Sequence, residues 1–450
     1  MAIDCSVADI ASPTKNALVG GPFGSDLVSK DYVPSGVPVI RGTNMGCGRW
    51  VGGDFAYVTK EKADSLSSNC AKPGDIIFTQ RGTLGQVALV PPNGATRYLI
   101  SQSQMKLTVD ENKADPLFLY YVFTSVKQQE YIRQNAIQTG VPHTNLGILR
   151  RTPLSIPPLP EQKAIARILG TLDDKIELNR RMNATLEAMA RALFQSWFVD
   201  FDPVRAKTAG RQPSGMNAAT AALFPSSFQD SSIGEIPAGW NTTTLGSVLD
   251  TLETGRRPKG GVSGFTSGVP SIGAESIWGI GEFDFEKTKF VPTEFFEKMN
   301  SGKVQHLDVL LYKDGGKPGE FRPRVGLFGH HFPFEQFGIN EHVFRLRSSS
   351  VGQLYLYFTV ADPRVLLDFA NKGGKAAIPG INQQDVRSTV ILQPPSSILD
   401  RFNNDVSPLV DRILRNAKES RTLATLRNTL LPKLLSGELN THPKGQFERS

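Results

Sequence analysis

Cysteine is scarce in this chain: Cys5, Cys47 and Cys70 are the only three among 450 residues. An odd, widely spaced set argues against a disulfide framework and a structural zinc site, and favours a reduced compartment. Long uncharged apolar runs are missing too, so no transmembrane helix is predicted. Residues 1–15 lack the basic and apolar segments of a secretion signal. We therefore expect a cytoplasmic protein with no membrane partner.

The motifs of several enzyme classes are also missing. The glycine-rich segment at residues 315–319 has Pro318 where a phosphate loop needs Ser or Thr. Residues 111–113 have the E-x-K form of a nuclease core, but no Pro-Asp pair precedes them. The histidines show no HExxH spacing, and neither a G-x-S-x-G elbow nor an Asn-Pro-Pro-aromatic tetrad occurs. We predict no catalytic residue and no metal ligand, which favours recognition over catalysis.

The composition is that of a globular protein with a mildly basic balance. The hydrophobic fraction is 39%, the charged fraction is 21%, and the formal net charge is +7. The length allows two to four domains with full-sized cores. A positive balance of this size permits a polyanion partner such as nucleic acid but does not establish one.

Two strand-rich regions alternate with two long helical stretches. Residues 75–79 and 86–90 are predicted strands joined by a glycine-bearing loop, and residues 118–134 are predicted to be one helix. The predicted segments are a first domain at 1–157, a helix at 158–200, a linker at 201–233, a second domain at 234–395, a helix at 396–437 and a polar tail at 438–450. This order indicates an α+β fold with two mixed α/β domains and a pair of long helices.

The second half of the chain repeats the first. From Pro142 onward an ungapped offset of 237 residues pairs Pro142 with Pro379, and the match continues through both helices. Upstream of that point the match is looser and needs gaps. Self-similarity of this length indicates two copies of one unit, each a globular region followed by a long helix. Two related copies are expected to pack their helices antiparallel, as a coiled coil.

Each helix carries a heptad stripe of apolar residues with asparagine at the same central position, Asn179 in the first and Asn416 in the second. A buried asparagine in such a seam lowers stability but fixes the register of the pairing. The alternative is that both asparagines lie at the edge of a wide apolar stripe and face solvent.

Three stretches resemble the specificity subunit of type I restriction–modification systems. They are "IPPLPEQKAIARILGTLDDKIELNRRMNATLEAMARALFQSWFVDFDPV" at residues 156–204, "EIPAGWNTTTLGSVLD" at 235–250 and "LRNTLLPKLLSGEL" at 426–439. The resemblance covers essentially the whole chain. One departure is that the first copy lacks the "IPxGW" opening found at residues 236–240. The strand pairing at the start of the first domain is therefore open, and the C-terminal tail could fill that place.

The resemblance implies a non-catalytic, sequence-specific DNA-binding subunit. Each target recognition domain would read one half of an asymmetric, bipartite site in double-stranded DNA. The coiled coil would set the spacer and dock two modification subunits that use S-adenosylmethionine to methylate adenine. Restriction subunits would add translocation and cleavage with ATP and Mg, and this chain would bind none of these cofactors itself.

Amide and guanidinium side chains in loops are the candidates for DNA contact, because they match base edges and phosphates. The candidates in the first domain are Gln80, Arg81, Thr83, Gln102 and Gln104. Those in the second domain are Lys313, Lys317, Arg322 and Arg324, with Lys372 and Lys375 as weaker ones. The two main loops fall at repeat-equivalent positions, while Asn145 and Asn382 are expected to cap local turns. Any of these residues could instead be an ordinary solvated hairpin residue.

Another hypothesis remains from the sequence. The chain could be a scaffold that carries two ligand-binding or protein-binding domains on a coiled coil, without DNA contact. The two hypotheses differ in one observable, namely salt-dependent enrichment of bipartite DNA.

Overall fold

The computed structural model describes residues 3–46, 48–138, 142–317, 319–374 and 379–441. The chain divides into two compact units. The first unit comprises Met1–Glu177 and Thr422–Ser450, and the second unit comprises Leu178–Arg421. Small sheets and helices mix in both units, in agreement with the α+β prediction. The division falls inside the long helices, away from the predicted boundaries near residues 157 and 395, because the two parts of each helix pack into different cores.

The first unit contains β1 (Ile3–Ser6), α1 (Val7–Ile10), β2 (Leu18–Gly20), β3 (Tyr32–Val33), β4 (Val37–Ile40), β5 (Ala56–Val58), α2 (Lys60–Ser65), β6 (Cys70–Ala71), β7 (Ile76–Thr79), β8 (Val87–Leu89), β9 (Tyr98–Ile100), β10 (Gln104–Leu107), α3 (Pro116–Thr124), α4 (Val126–Gln134), α5 (Leu146–Arg151), β11 (Pro153–Ile156) and the start of α6 (Leu159–Phe198). Its sheets have the strand orders β2-β10-β7-β8, β3-β5-β4-β9-β6 and β1-β11. Strands β7 and β8 form an antiparallel hairpin, while β4 and β9 pair in parallel.

The second unit contains the end of α6, then α7 (Asp202–Thr208), α8 (Ala218–Ala222), β12 (Phe228–Ser231), β13 (Gly234–Pro237), β14 (Asn241–Thr244), α9 (Leu245–Val248), β15 (Thr251–Thr254), β16 (Val269–Ile272), β17 (Gly279–Ile280), β18 (Lys289–Val291), α10 (Thr293–Glu297), β19 (Val309–Tyr312), β20 (Val325–Leu327), β21 (Gly338–Ile339), β22 (Val343–Arg347), α11 (Gln353–Val360), α12 (Pro363–Gly373), α13 (Gln383–Arg387), β23 (Val390–Gln393) and most of α14 (Ser396–Leu435). Its sheets have the orders β15-β22-β19-β20-β17, β18-β16-β21, β14-β23 and β12-β13.

The two units share one topology. The run β2-β10-β7-β8 of the first unit corresponds to β15-β22-β19-β20 of the second, in the same chain order. The parallel pair β4 and β9 corresponds to the parallel pair β16 and β21. Asn145 and Asn382 accept backbone hydrogen bonds at the starts of α5 and α13, so the predicted caps are confirmed. The internal repeat therefore extends upstream of the helices, where the sequence match needs gaps.

The start of the first unit keeps its strand although it lacks the IPxGW segment. Strand β1 pairs antiparallel with β11 just as β14 pairs with β23. In the second unit the IPxGW segment begins in β13, which pairs with β12, and it ends at Trp240, which is buried against Phe198 and Phe224. The first unit packs Leu434 and Leu435 into its core at the positions equivalent to Trp197 and Phe198. Of the predicted polar tail at residues 438–450, which is a candidate for that place, residues 442–450 lie outside the described residues.

The predicted linker at residues 201–233 is folded. It contains α7, α8 and β12, and its aromatic residues Phe201 and Phe224 are buried with Val204. The sequence did not predict this structure, because the few apolar residues of this polar stretch are too widely spaced to give a periodic pattern. The helix predicted at 118–134 is also two helices, since Ser125 has an extended backbone and caps α4.

The long helices agree closely with their predicted bounds, and each is 40 residues long. Within the first unit, Asp173 of α6 pairs with Arg427 of α14 at 2.6 Å. Within the second unit, the rings of Phe194 and Phe402 are 6.0 Å apart. In the second unit Asn179 contacts Glu419, Asn183 contacts Ile413 and Phe194 contacts Phe402, so rising numbers on α6 meet falling numbers on α14 and the helices pair antiparallel as predicted. None of the helices in the described part of the chain has the length and apolarity that a membrane crossing requires.

Candidate nucleic-acid interface

Two equivalent hairpins carry most of the candidate residues. In the first unit β7 and β8 are joined by residues 80–86, and in the second unit β19 and β20 are joined by residues 313–324. Each connection starts with the same backbone hydrogen bond, from Thr79 N to Gln86 O at 3.1 Å and from Tyr312 N to Arg324 O at 2.9 Å. The predicted equivalence of the two loops is therefore confirmed, and both are surface connections between buried strands.

The loop of the first unit presents Arg81 and Thr83 to solvent, and both residues are exposed. Gln80 is half-buried, and its backbone bonds to Ser103 and Thr144. Gly82 and Gly85 have φ values of 97° and 88°, a conformation that favours glycine, so the tight turn depends on them. The turn leaves Arg81 and Thr83 available to a ligand.

The other two candidate glutamines of the first unit, Gln102 and Gln104, serve its internal structure. Gln102 donates its side-chain amide hydrogens to the carbonyl oxygens of Gly24 and Leu27 at 3.1 and 2.8 Å. Gln104 lies in β10 with 0% of its surface exposed. Gln104 therefore has no solvent access and cannot reach a base edge in this conformation. Gln102 is exposed, but both of its amide hydrogens are bonded within the fold, so neither glutamine enters the interface that we propose.

The loop of the second unit presents cationic side chains. Lys317 is exposed, as is Arg322, which pairs with Glu320, another exposed residue. Lys313 is half-buried and forms an ion pair with Asp314 at 2.7 Å. An exposed pair in high dielectric contributes little to stability and exchanges readily for another anion such as phosphate. Lys317 and Arg322 are therefore the residues of this loop best suited to phosphate contact.

Arg324 lies between two aromatic rings. Its guanidinium carbon is 4.3 Å from the ring centroid of Trp278 and 4.8 Å from that of Tyr312. Its Nη2 donates to the carbonyl oxygen of Ala274 at 2.9 Å. Burial against these groups lowers the pKa of the Arg324 guanidinium. The side chain is thus held in one orientation.

Lys372 was predicted as a weaker DNA contact, but its ammonium group is occupied. It donates to Asp368 Oδ2, Asp385 O and Thr389 Oγ1 at 2.6, 3.1 and 2.9 Å. Three acceptors satisfy all three ammonium hydrogens, so Lys372 joins α12 to the residues before β23. Lys375 lies outside the described residues.

The two seam asparagines are buried, with Asn179 at 0% and Asn416 at 1% exposure. Asn179 Nδ2 donates to Glu419 Oε2 at 2.8 Å, and Asn416 Nδ2 donates to Asn183 Oδ1 at 2.8 Å. Asn183 Nδ2 in turn donates to the carbonyl oxygen of Ile413 at 3.2 Å. A shifted register would separate these partners inside the helix pair, so the asparagines favour the register-fixing alternative.

We expect Asn416→Ala to lower the free energy of unfolding by about 1–3 kcal/mol, because the buried Asn416 amide is lost and the half-buried Asn183 Oδ1 loses its donor. Urea denaturation followed by circular dichroism measures this change. The exposed Arg415→Ala on the same helix is the matched control, with an expected change within about 0.5 kcal/mol. Equal effects of the two variants would contradict a register role for Asn416.

The sequence analysis did not name three residues that the structure places beside the candidate residues, namely Trp278, Tyr312 and Gln86. Tyr312 and Gln86 lie at the ends of the two hairpins, and the equivalence of the loops could have indicated them. Trp278 precedes β17, and 48% of its surface is exposed. No local pattern marks it, because its role depends on Arg324, which lies in a different part of the sequence. Among the residues that the structure describes, no cluster of three or more His, Cys, Asp or Glu side chains could hold a metal ion.

Comparisons with known proteins agree on one class of protein. Residues 30–188 match the family described as "Type I restriction modification DNA specificity domain". The chain is 24% identical over 385 residues to the type I restriction enzyme MjaIX specificity subunit of Methanocaldococcus jannaschii, covering 85% of this chain and 81% of that protein. It is 25% identical over 425 residues to the HindI specificity subunit of Haemophilus influenzae, covering 82% and 87%.

The fold is also similar to a solved structure. The crystal structure of a type I restriction–modification S subunit from M. genitalium matches with a TM-score of 0.55 at 16% identity, covering 96% of both chains. At this identity the likeness concerns the fold, including its two mixed α/β regions and long helices.

Proposed function

The chain belongs to the specificity subunits of type I restriction–modification systems, and from this premise we propose that each of its two units reads one half of an asymmetric, bipartite site in double-stranded DNA. A member of this family recognises DNA sequence for its complex and is not itself an enzyme. The observation that carries the proposal is the pair of equivalent hairpins, which present Arg81 and Thr83 in one unit and Lys317 and Arg322 in the other. Similar architecture with different loop residues suits two readers of different sequences.

The contacts divide into two kinds. Exposed lysine and arginine side chains bind phosphates, which supplies affinity without sequence information. Amide and guanidinium groups at fixed positions bind base edges in the major groove, which supplies specificity. Gln102, Gln104 and Lys372 take no part, because their polar groups are buried or already bonded within the fold.

The paired helices would set the spacer between half-sites. Helices α6 and α14 each pass without interruption from one unit to the other, and the buried asparagines hold their register. Two modification subunits would dock on the complex and methylate adenine with S-adenosylmethionine, and restriction subunits would act with ATP and Mg. We place the assembly in the cytoplasm, and no cofactor site on this chain is part of the proposal.

Mapping methylated adenines after co-expression of this chain with a modification subunit tests the proposal. We expect methylation within one bipartite motif that is absent when this chain is omitted. Replacing residues 1–155 with the same region of another specificity subunit should change one half of the motif only. Methylation without a bipartite motif, or a change in both halves, would contradict two independent readers.

A heptad added to both helices should lengthen the spacer. Insertions after Glu177 and after Arg421 keep the partners on each side, since Asn179 bonds to Ser420 and Asp173 to Arg427. Seven residues add about 10 Å of helix, equivalent to at most about three base pairs at 3.4 Å each. Methylation mapping measures the spacer, and both half-sites should keep their sequences.

The matched control for the double insertion is the same heptad in α6 alone. This change shifts one helix against the other and separates the buried asparagines from their partners. We expect it to abolish methylation and lower stability. A double insertion that leaves the spacer unchanged would show that the helices do not determine it.

A further inference from the structure

The equivalent hairpins differ at the residue that ends each loop. In the first unit this residue is Gln86, whose Oε1 accepts from Thr79 Oγ1 at 3.2 Å. In the second unit it is Arg324, which faces Tyr312 across the same backbone hydrogen bond. The same place in the fold therefore holds an amide in one unit and a guanidinium in the other. These are the two groups that bind adenine and guanine edges most specifically.

One short turn fixes the surroundings of Arg324. Ala274 is the first residue of the 3-10 turn Ala274–Ser276, and its carbonyl oxygen accepts a hydrogen bond from Arg324 Nη2 at 2.9 Å. The next carbonyl of the turn, Glu275 O, accepts from the indole Nε1 of Trp278 at 2.7 Å. Tyr312, the other ring in contact with the guanidinium, is stacked on Phe321, with ring centroids 5.4 Å apart. Both rings that contact the guanidinium are thus themselves anchored.

The charge of Arg324 is only partly compensated within the fold, through the field of the Glu275 carboxylate. Within the described ranges no carboxylate forms an ion pair with it, and its buried Nε has no hydrogen-bond acceptor. Arg345 of the same unit, by contrast, pairs with Glu253 and Asp308 at 2.9 and 2.8 Å. A guanidinium that has lost water without gaining a carboxylate carries a desolvation cost. A ligand that accepts hydrogen bonds from the remaining N–H groups of the guanidinium, here called its free edge, offsets that cost.

We infer that Arg324, held between Trp278 and Tyr312, reads a guanine in the half-site of the second unit, and that the exposed indole of Trp278 contacts the DNA beside it. The free edge of a fixed guanidinium matches the O6 and N7 acceptors of guanine. The rings hold it in place, so little side-chain entropy is lost on binding. This inference rests on the proposed function, because it assigns one base contact within the proposed DNA site.

Arg324→Gln is the first test, read by methylation mapping of the complex with its modification subunit. We expect discrimination at one guanine of one half-site to fall by about tenfold or more, which corresponds to the lower part of the range for one bidentate base contact. The other half-site should be unchanged. Arg322→Ala is the matched control, since an exposed phosphate contact weakens binding to all sequences equally.

A second test uses the complex and a duplex that carries the mapped site. Replacing the assigned guanine with 7-deazaguanine removes the N7 acceptor, so it should weaken DNA binding by the wild-type complex. It should not weaken DNA binding by the Arg324→Gln complex any further. Binding should also quench indole fluorescence more strongly in wild type than in Trp278→Phe, because Trp197 and Trp240 are buried at 3% and 1% exposure and any quenching of the half-buried Trp50 is the same in both. Trp278→Phe keeps a ring against Arg324, and thermal denaturation checks that each variant is folded.

The outcomes separate the inference from the proposed function. A complex that methylates no bipartite site overturns the proposed function and the inference with it. A mapped site whose guanines are read equally well by folded Arg324→Gln, or a second half-site without guanine, overturns only the inference. Equal fluorescence quenching in wild type and Trp278→Phe would show that Trp278 does not contact the DNA.

Discussion

Replacing Asp308 with alanine is expected to lower the free energy of unfolding by about 3–5 kcal/mol, because it removes a buried carboxylate that two arginines share and leaves Arg345 with Glu253 alone. Asp308 has 0% exposure and accepts from Arg345 Nη1 at 2.8 Å and from Arg347 Nη1 at 2.5 Å. It also accepts from the backbone N–H of Gln305 at 2.6 Å. One carboxylate therefore joins the start of β19 to two arginines of β22, at the centre of the larger sheet of the second unit.

Chemical denaturation of Asp308→Ala and Glu320→Ala measures this effect against a matched control. Glu320 also pairs with an arginine, Arg322, but both residues are exposed. The expected loss for Glu320→Ala is below about 1 kcal/mol, since water replaces the lost interaction. Similar losses for the two variants would mean that the Asp308 cluster is not an obligatory part of the core.

The first unit contains a simpler form of the same cluster. Asp75 precedes β7 as Asp308 precedes β19, and it pairs with Lys106 of β10 at 3.6 Å, with 1% and 9% of the two side chains exposed. The topology of the repeat thus retains a buried acidic residue at the start of this central strand. Arginine replaces lysine in the second unit, where the planar guanidinium of Arg345 bonds to both Asp308 and Glu253.

Affinity for the mapped DNA site is expected to fall by a factor of about 10³–10⁵ between 50 and 200 mM salt, if the chain makes roughly six to ten phosphate contacts. The net charge of +7 and the exposed lysine and arginine side chains of the two hairpins support contacts of this kind. Each neutralised phosphate releases counterions, so the logarithm of the binding constant falls linearly with the logarithm of salt concentration. Fluorescence anisotropy of labelled duplex across a salt series measures the slope.

Variants of the second hairpin give the salt experiment its control. Lys317→Ala and Arg322→Ala should each reduce the magnitude of the slope by about one. Lys372→Met should leave the slope unchanged, because three acceptors of the fold already hold the ammonium group. Binding that is weak and independent of salt would instead favour the scaffold hypothesis, with protein or small-molecule ligands in place of DNA.

The repeat and its helices could be predicted because their signals lie in contiguous sequence. The ungapped offset of 237 residues predicted a second helix, and the observed helices begin and end within two residues of the predicted bounds. The heptad stripe placed Asn179 and Asn416 in the seam, where both are buried. Glycines at fixed places in the first loop likewise predicted a turn between two strands. Each of these features depends on residues that are neighbours along the chain.

By itself, the sequence determined the duplicated order of elements, the two long helices and the positions of two surface loops. Only the tertiary structure decided which polar side chains remain available to bind a ligand. It buries Gln104, engages the Lys372 ammonium in hydrogen bonds within the fold, and places Arg324 against Ala274, 50 residues away along the chain. It also folds the stretch that was predicted to be a linker. The physical reason is that local periodicity sets helices and strands, whereas burial and hydrogen-bond partners depend on contacts between distant segments.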